Sequence, residues 1–222
     1  MWAVDARPPR RKVQTQKPPG EGGPSVKVLL ISGFLGSGKT SLLLELVDRL
    51  RTDHRRVAIV ENEVGEIGID GRRFTEFGIE TREILGGCIC CQLNGSLAAT
   101  LEEIDRTLSV DCVVVETSGL ALLQQVLSDL HRRMPDASLR ALYLVDVDRL
   151  DGSLVDAPPF IVEQVCHADL VLLNKADLAD AATLTALSDE ARILAPSAPL
   201  MRLSLADGSG KDELLEMIAS WV

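Results

Sequence analysis

Net positive charge is the first thing missing from these 222 residues: 23 Lys and Arg stand against 33 Asp and Glu, a formal charge of −10. Nucleic-acid backbones are bound by clustered cations, so no nucleic-acid partner is expected. Long apolar runs are missing too. None approaches the ~20 residues that cross a bilayer, and the first residues lack the apolar core of a secretory signal. A cytoplasmic protein with no membrane partner is the expectation. Histidine is scarce, and His54, His131 and His167 fall at no ligand spacing. Disulfides are not required, because one domain of this length buries roughly 70% of its unfolded surface.

What is present is organised around Gly33-Phe34-Leu35-Gly36-Ser37-Gly38-Lys39-Thr40, which follows an apolar run and leads into a helical pattern. Glycine removes the Cβ that would obstruct a polyphosphate. The main-chain N–H groups of Gly36 to Thr40 can converge on phosphate oxygens where a helix begins, with the helix dipole adding to the attraction. Lys39 would reach the β and γ phosphates and the Thr40 hydroxyl would ligate Mg²⁺. Gly33, Gly36, Ser37, Gly38, Lys39, Thr40 and Ser41 are therefore the phosphate-side binding set.

Residues 1–25 hold Pro8-Pro9, Pro18-Pro19 and the cluster Arg7, Arg10, Arg11 and Lys12, the composition of a disordered basic tail. From Val26 to Val222, β-branched runs alternate with helical patterns, which predicts an α/β domain with a doubly wound, mostly parallel sheet of the P-loop NTPase kind. Strands are expected at Val26 to Ser32, Val57 to Asn62, Cys112 to Glu116, Ala141 to Val145, Leu170 to Asn174 and Leu200 to Leu203. Helices are expected near Ser41 to Arg51, Leu93 to Leu108, Leu122 to Arg133, Thr183 to Leu194 and Lys211 to Trp221. Ligands of such sheets gather beyond the carboxyl ends of the strands.

The loops at those ends carry the unusual residues. Glu61 to Gly71 crowds four carboxylates and three glycines, which suits either a solvated acidic loop or a segment that orders on a cation. Gly86-Gly87-Cys88-Ile89-Cys90-Cys91 places three cysteines on a glycine-loosened loop, where Cys88, Cys90 and Cys91 can converge as thiolates on Zn²⁺ or a similar cation. Cys112 and Cys166 fit the core instead. Val113 to Gly119 is a buried strand ending in Glu116, where phosphate-loop enzymes hold a metal-positioning acid, and Gly119 can bring a backbone N–H to the γ phosphate. Asn174-Lys175-Ala176-Asp177 follows another strand. The Asp177 carboxylate can accept two hydrogen bonds from guanine that adenine cannot donate, so the expected nucleotide is GTP.

In their order, GFLGSGKT, VENEVGEIGID, GGCICC, VVVETSG and NKAD make residues 26–222 resemble the CobW family of metal-chaperone GTPases, relatives of the urease and hydrogenase nickel-insertion GTPases. The resemblance implies a Mg²⁺-dependent GTPase that binds Zn²⁺, or Co²⁺ or Ni²⁺, and delivers it to a client metalloprotein. It implies Cys88, Cys90 and Cys91 as the metal thiolates, Glu61 and Glu66 as assisting acids, and Thr40 with Glu116 at Mg²⁺. Lys39, Thr40, Glu116 and Gly119 would serve hydrolysis, and a nucleotide-dependent homodimer is a further expectation. The family's usual C-terminal domain has no counterpart here, and Ala121 is followed by Leu122-Leu123-Gln124 where Asp-Pro is common. The rival readings are a GTPase serving a nickel or corrinoid enzyme, a P-loop small-molecule kinase, and a non-enzymatic zinc module.

Overall fold

Alternation with a period of two governs the central strand β1 (Lys27–Gly33). Val28 and Leu30 enter one core, Leu29 and Ile31 the other, and all four are buried. A strand apolar on both faces must be covered on both, which excludes a half-solvated antiparallel sheet. The structure, a computed structural model, describes residues 26–61, 81–83, 89–108, 110–150 and 152–222; of residues 61, 81–83 and 89–96 it describes the backbone. The expected tail at 1–25 lies outside these residues.

Around β1 stand β2 (Val57–Glu61), β3 (Thr81–Glu83), β4 (Cys112–Glu116), β5 (Ser138–Asp146), β6 (Leu170–Asn174) and β7 (Leu200–Arg202), in the spatial order β3-β2-β4-β1-β5-β6-β7. Every pairing is parallel. Because β1 lies between β4 and β5, the chain leaves it toward both edges, and its carboxyl end is a crevice where a ligand can enter.

Helix α1 (Lys39–Thr52) buries Leu42, Leu43, Leu46, Val47 and Leu50, an i, i+4, i+8 stripe that faces the sheet. Arg49 and Arg51 in its last turn suit the negative end of the helix dipole. On the same face lies α6 (Lys211–Trp221), tied to α1 by Lys211 Nζ to Glu45 Oε1 at 3.1 Å. The opposite face carries α2 (Ile89–Thr107), α3 (Leu123–Arg133), α4 (Pro159–Cys166) and α5 (Ala181–Leu194). Arg133 forks onto Glu102, two contacts of 3.1 Å that join α3 to α2.

The doubly wound parallel sheet is as expected, with additions and corrections. Helix α4 and strand β3 were not expected. Pro158 is the N-cap of α4 and Pro159 occupies its first turn, where a missing N–H costs nothing. Strand β5 begins three residues before Ala141, because Ser138 to Arg140 pair with β1 while remaining partly exposed. Cys166 is exposed at the last position of α4, so its placement in the core is wrong. Cys112 is in the core as expected. Burial pushes its thiol up to about 12, since a thiolate there would lose its hydration.

Candidate functional site

The carboxyl ends of β1, β4, β5 and β6 bring the expected nucleotide residues together. The loop after β1 closes with Ser37 N–H donating to Phe34 O at 3.1 Å, and α1 opens with Leu42 N–H donating to Gly38 O at 2.9 Å. Gly38 is the helix N-cap at φ 101°, a conformation that penalises a side chain. A Cβ there would stand 2.5 Å from Asn174 Nδ2. Gly38→Ala should therefore cost about 1–3 kcal/mol of stability and lose nucleotide affinity. A melting curve and a GDP titration both matching the parent would refute this.

Lys39 is 8% exposed and its ammonium turns back over the loop, donating to Phe34 O at 3.4 Å. Thr40 Oγ1 donates to Glu116 Oε1 at 2.9 Å, so the hydroxyl that opens α1 and the acid that ends β4 meet at one point. Two hard oxygen donors held together suit a small divalent cation that keeps part of its water shell. Ser41 is exposed one residue further on. Gly119 comes so close to the loop that a Cβ would lie 2.9 Å from Leu35 N.

On the other side of β1, Asn174 is 2% exposed and its Nδ2 donates to Ser37 O at 2.6 Å. One buried amide thus fastens the loop after β6 to the loop after β1. Lys175, at φ 62°, donates through Nζ to Asp146 Oδ2 at 2.6 Å. Asp177 is exposed in the short 3₁₀ turn Ala176–Leu178, with its carboxylate open to a ligand. Ala176 N–H donates to Leu203 O at 3.0 Å, so the segment after β7 sits beside the Asp177 turn.

Sequence reasoning missed how α4 supports this floor. Its Phe160 ring packs on Phe34 of the phosphate loop with centroids 5.6 Å apart. Its buried Gln164 accepts from Leu123 N–H at 3.0 Å and donates to Ala121 O, holding the segment after Gly119. An apolar helix carrying one glutamine was the available signal.

The sulfur site is only partly within view. Cys90 and Cys91 lie in the first turn of α2, so the expected loop at these two positions is a helix. Cys88 and Glu66 lie outside the described residues. Glu61 ends β2 in register with Glu116 of β4. Among the described residues no group of three or more His, Cys, Asp or Glu is placed to hold a metal ion.

A glycine-rich loop between β1 and α1, an acid at the end of β4 and an Asn-Lys-x-Asp turn after β6 define a nucleotide-binding domain of P-loop NTPase architecture. Residues 27–202 match the family model described as CobW/HypB/UreG, nucleotide-binding domain, and the chain belongs to that family. It is similar to the zinc chaperone CobW of Sinorhizobium sp, 29% identical over 198 residues, which cover 74% of this chain and 55% of that protein. It is also 34% identical over 172 residues to the zinc-regulated GTPase metalloprotein activator 1 of Schizosaccharomyces pombe, covering 72% of this chain and 41% of that one. The chain spans about half the length of these curated relatives. Among solved structures, the hydrogenase maturation factor HypB of Archaeoglobus fulgidus superposes with a TM-score of 0.68 at 22% identity, covering 88% of this chain and 89% of that one. That likeness shows the fold. Among the described residues no helix is long and apolar enough to cross a membrane.

Proposed function

We propose that this chain is a Mg²⁺-dependent GTPase that binds Zn²⁺ through Cys88, Cys90 and Cys91, assisted by Glu61 and Glu66, and hands it to a client metalloprotein. The observation that supports it most is the joining of three loops at one crevice: Thr40 to Glu116 on one side of the phosphate loop, Asn174 to Ser37 on the other. Family membership, with relatives named as zinc chaperones, supplies the metal half of the reading.

Each residue has a separate task. Lys39 pairs with β and γ phosphate oxygens while the N–H groups from Gly36 to Thr40 line the same anion. Thr40 and Glu116 hold or orient Mg²⁺, which when bound neutralises charge on the β and γ oxygens. The N–H of Gly119 approaches the γ phosphate, and Asp177 accepts from the guanine edge. Leu120, the residue after Gly119, is apolar and exposed, so it cannot orient a water. Slow turnover in the absence of a partner is the expected behaviour of a phosphate-loop GTPase whose sequence identifies no arginine finger or positioned glutamine.

Coupling to the cysteines follows from register. Glu61 and Glu116 share a rung of the sheet, so the strand that leads into the acidic segment sits beside the one that carries the magnesium acid. A γ phosphate that draws these ends together changes the geometry offered to the cargo metal. A tenfold switch in affinity needs about 1.4 kcal/mol of differential binding. A titration of Zn²⁺, Co²⁺ and Ni²⁺ against a chromophoric chelator, with GDP or a non-hydrolysable GTP analogue bound, should give affinities at least tenfold apart for the cargo metal. Identical affinities in the two nucleotide states would sink the chaperone reading. Sedimentation of the same samples reads the expected nucleotide-dependent homodimer.

A further inference from the structure

Between the phosphate loop and the Asp177 turn, β5 ends in Asp146, whose carboxylate side chain is 3% exposed. Its Oδ2 gathers two cations: Lys175 Nζ at 2.6 Å and Arg149 Nε at 3.4 Å. Asp146 engages the Nε edge of Arg149, whose side chain is 51% exposed. The guanidinium lies against Gly36 of the phosphate loop, so close that a Cβ on that glycine would meet Nη2 at 3.1 Å and Cζ at 3.5 Å. The segment that follows is pinned as well, Leu154 N–H donating to Glu190 Oε2 at 2.5 Å and Val155 N–H at 3.2 Å. Among the described residues Asp146 Oδ1, the carboxylate's other oxygen, is buried with no hydrogen-bond donor.

Strand order says what faces this arginine. The Thr40–Glu116 pair and Gly119 lie on the β4 side of β1, the end proposed for the γ phosphate and Mg²⁺. The base-side turn follows β6. Arg149 follows β5, which lies between β1 and β6, and the part of a nucleotide between its outer phosphates and its base is the α phosphate and ribose.

Resting on the guanine-nucleotide reading above, we infer that Arg149, aimed by Asp146, is a nucleotide-anchoring residue that donates its Nη groups to the α phosphate. A contact to the α phosphate is common to GDP and GTP and does not strengthen as the γ phosphate departs. Uniform binding of this kind changes affinity and leaves the chemical step alone.

The test measures GDP and a non-hydrolysable GTP analogue by fluorescence titration on the parent chain, Arg149→Ala and Arg149→Lys, with steady-state GTP turnover and a melting curve on each. Arg149→Ala should weaken both nucleotides about tenfold and equally, the loss of one charge-assisted hydrogen bond, with kcat within twofold of the parent. Arg149→Lys should recover most of the affinity, which a residue that merely braces the turn would not do. Unchanged GDP affinity in Arg149→Ala overturns the inference and leaves the nucleotide site standing. So does a fall in kcat at unchanged affinity, the mark of a group that acts in the transition state. A parent chain that binds no guanine nucleotide overturns both.

Discussion

Lys39→Ala removes nucleotide binding and, with it, any influence of nucleotide on the metal. The ammonium is almost wholly enclosed, at the first residue of α1, where the helix dipole and unpaired N–H groups already favour an anion. Those dipoles remain in the variant. What disappears is the only full positive charge that the phosphate loop itself supplies, together with two charge-assisted hydrogen bonds worth about 1.5–3 kcal/mol each. The affinity for GTP should fall by at least about a hundredfold on that scale. Because Lys39 is buried and donates to Phe34 O, the melting temperature is read beside the affinity, and a folded variant that binds no nucleotide is the expected result. A titration with a fluorescent GDP analogue, paired with a thermal melt, reads both quantities. Affinity within threefold of the parent would remove Lys39 from the site. A zinc titration of the same variant gives one curve whether GDP or the GTP analogue is added.

The opposite separation is expected of Cys90→Ala. Zinc affinity falls by about 3–4 kcal/mol, the share of one ligand in a thiolate site whose binding totals on the order of 10–16 kcal/mol. GTP affinity stays within about twofold. The reason is placement: Cys90 opens α2, whereas the phosphate loop opens α1. Chelator competition at fixed pH measures the zinc term, and the same sample serves for the GDP titration. Matching zinc curves for variant and parent would remove the thiolate assignment. Loss of both affinities would mean that Cys90 supports the fold rather than a metal.

The parts of the fold legible in the sequence were those where one physical requirement dominates. Strands β4 and β6 have the bounds expected of them: each is an apolar run buried on both faces that closes on one buried polar residue, Glu116 or Asn174, where the strand meets the crevice. The expected nucleotide residues fall where the sequence places them, at the ends of β1, β4 and β6, because each stands at a fixed distance from a strand end. Helix α4 was hidden by Pro158-Pro159, and β3 by its three-residue length, too short to display a period. Cys166 misled because an apolar neighbourhood in sequence is not a buried one: Val165 enters the core and the next residue turns out to solvent. Arg149 belongs to no motif. Its meaning comes from Gly36, more than a hundred residues earlier, which only the strand order brings beside it.

The amide of Asn174 is bonded to the main chain of the phosphate loop at Ser37, protein to protein, with no nucleotide atom in the link. That link joins the base-side wall to the phosphate-side wall through the protein itself, so capture need not wait for one wall to find the other. Encounter should run at the ordinary rate for a preformed cleft, and differences in tightness between one guanine nucleotide and another should appear as differences in how long each one stays.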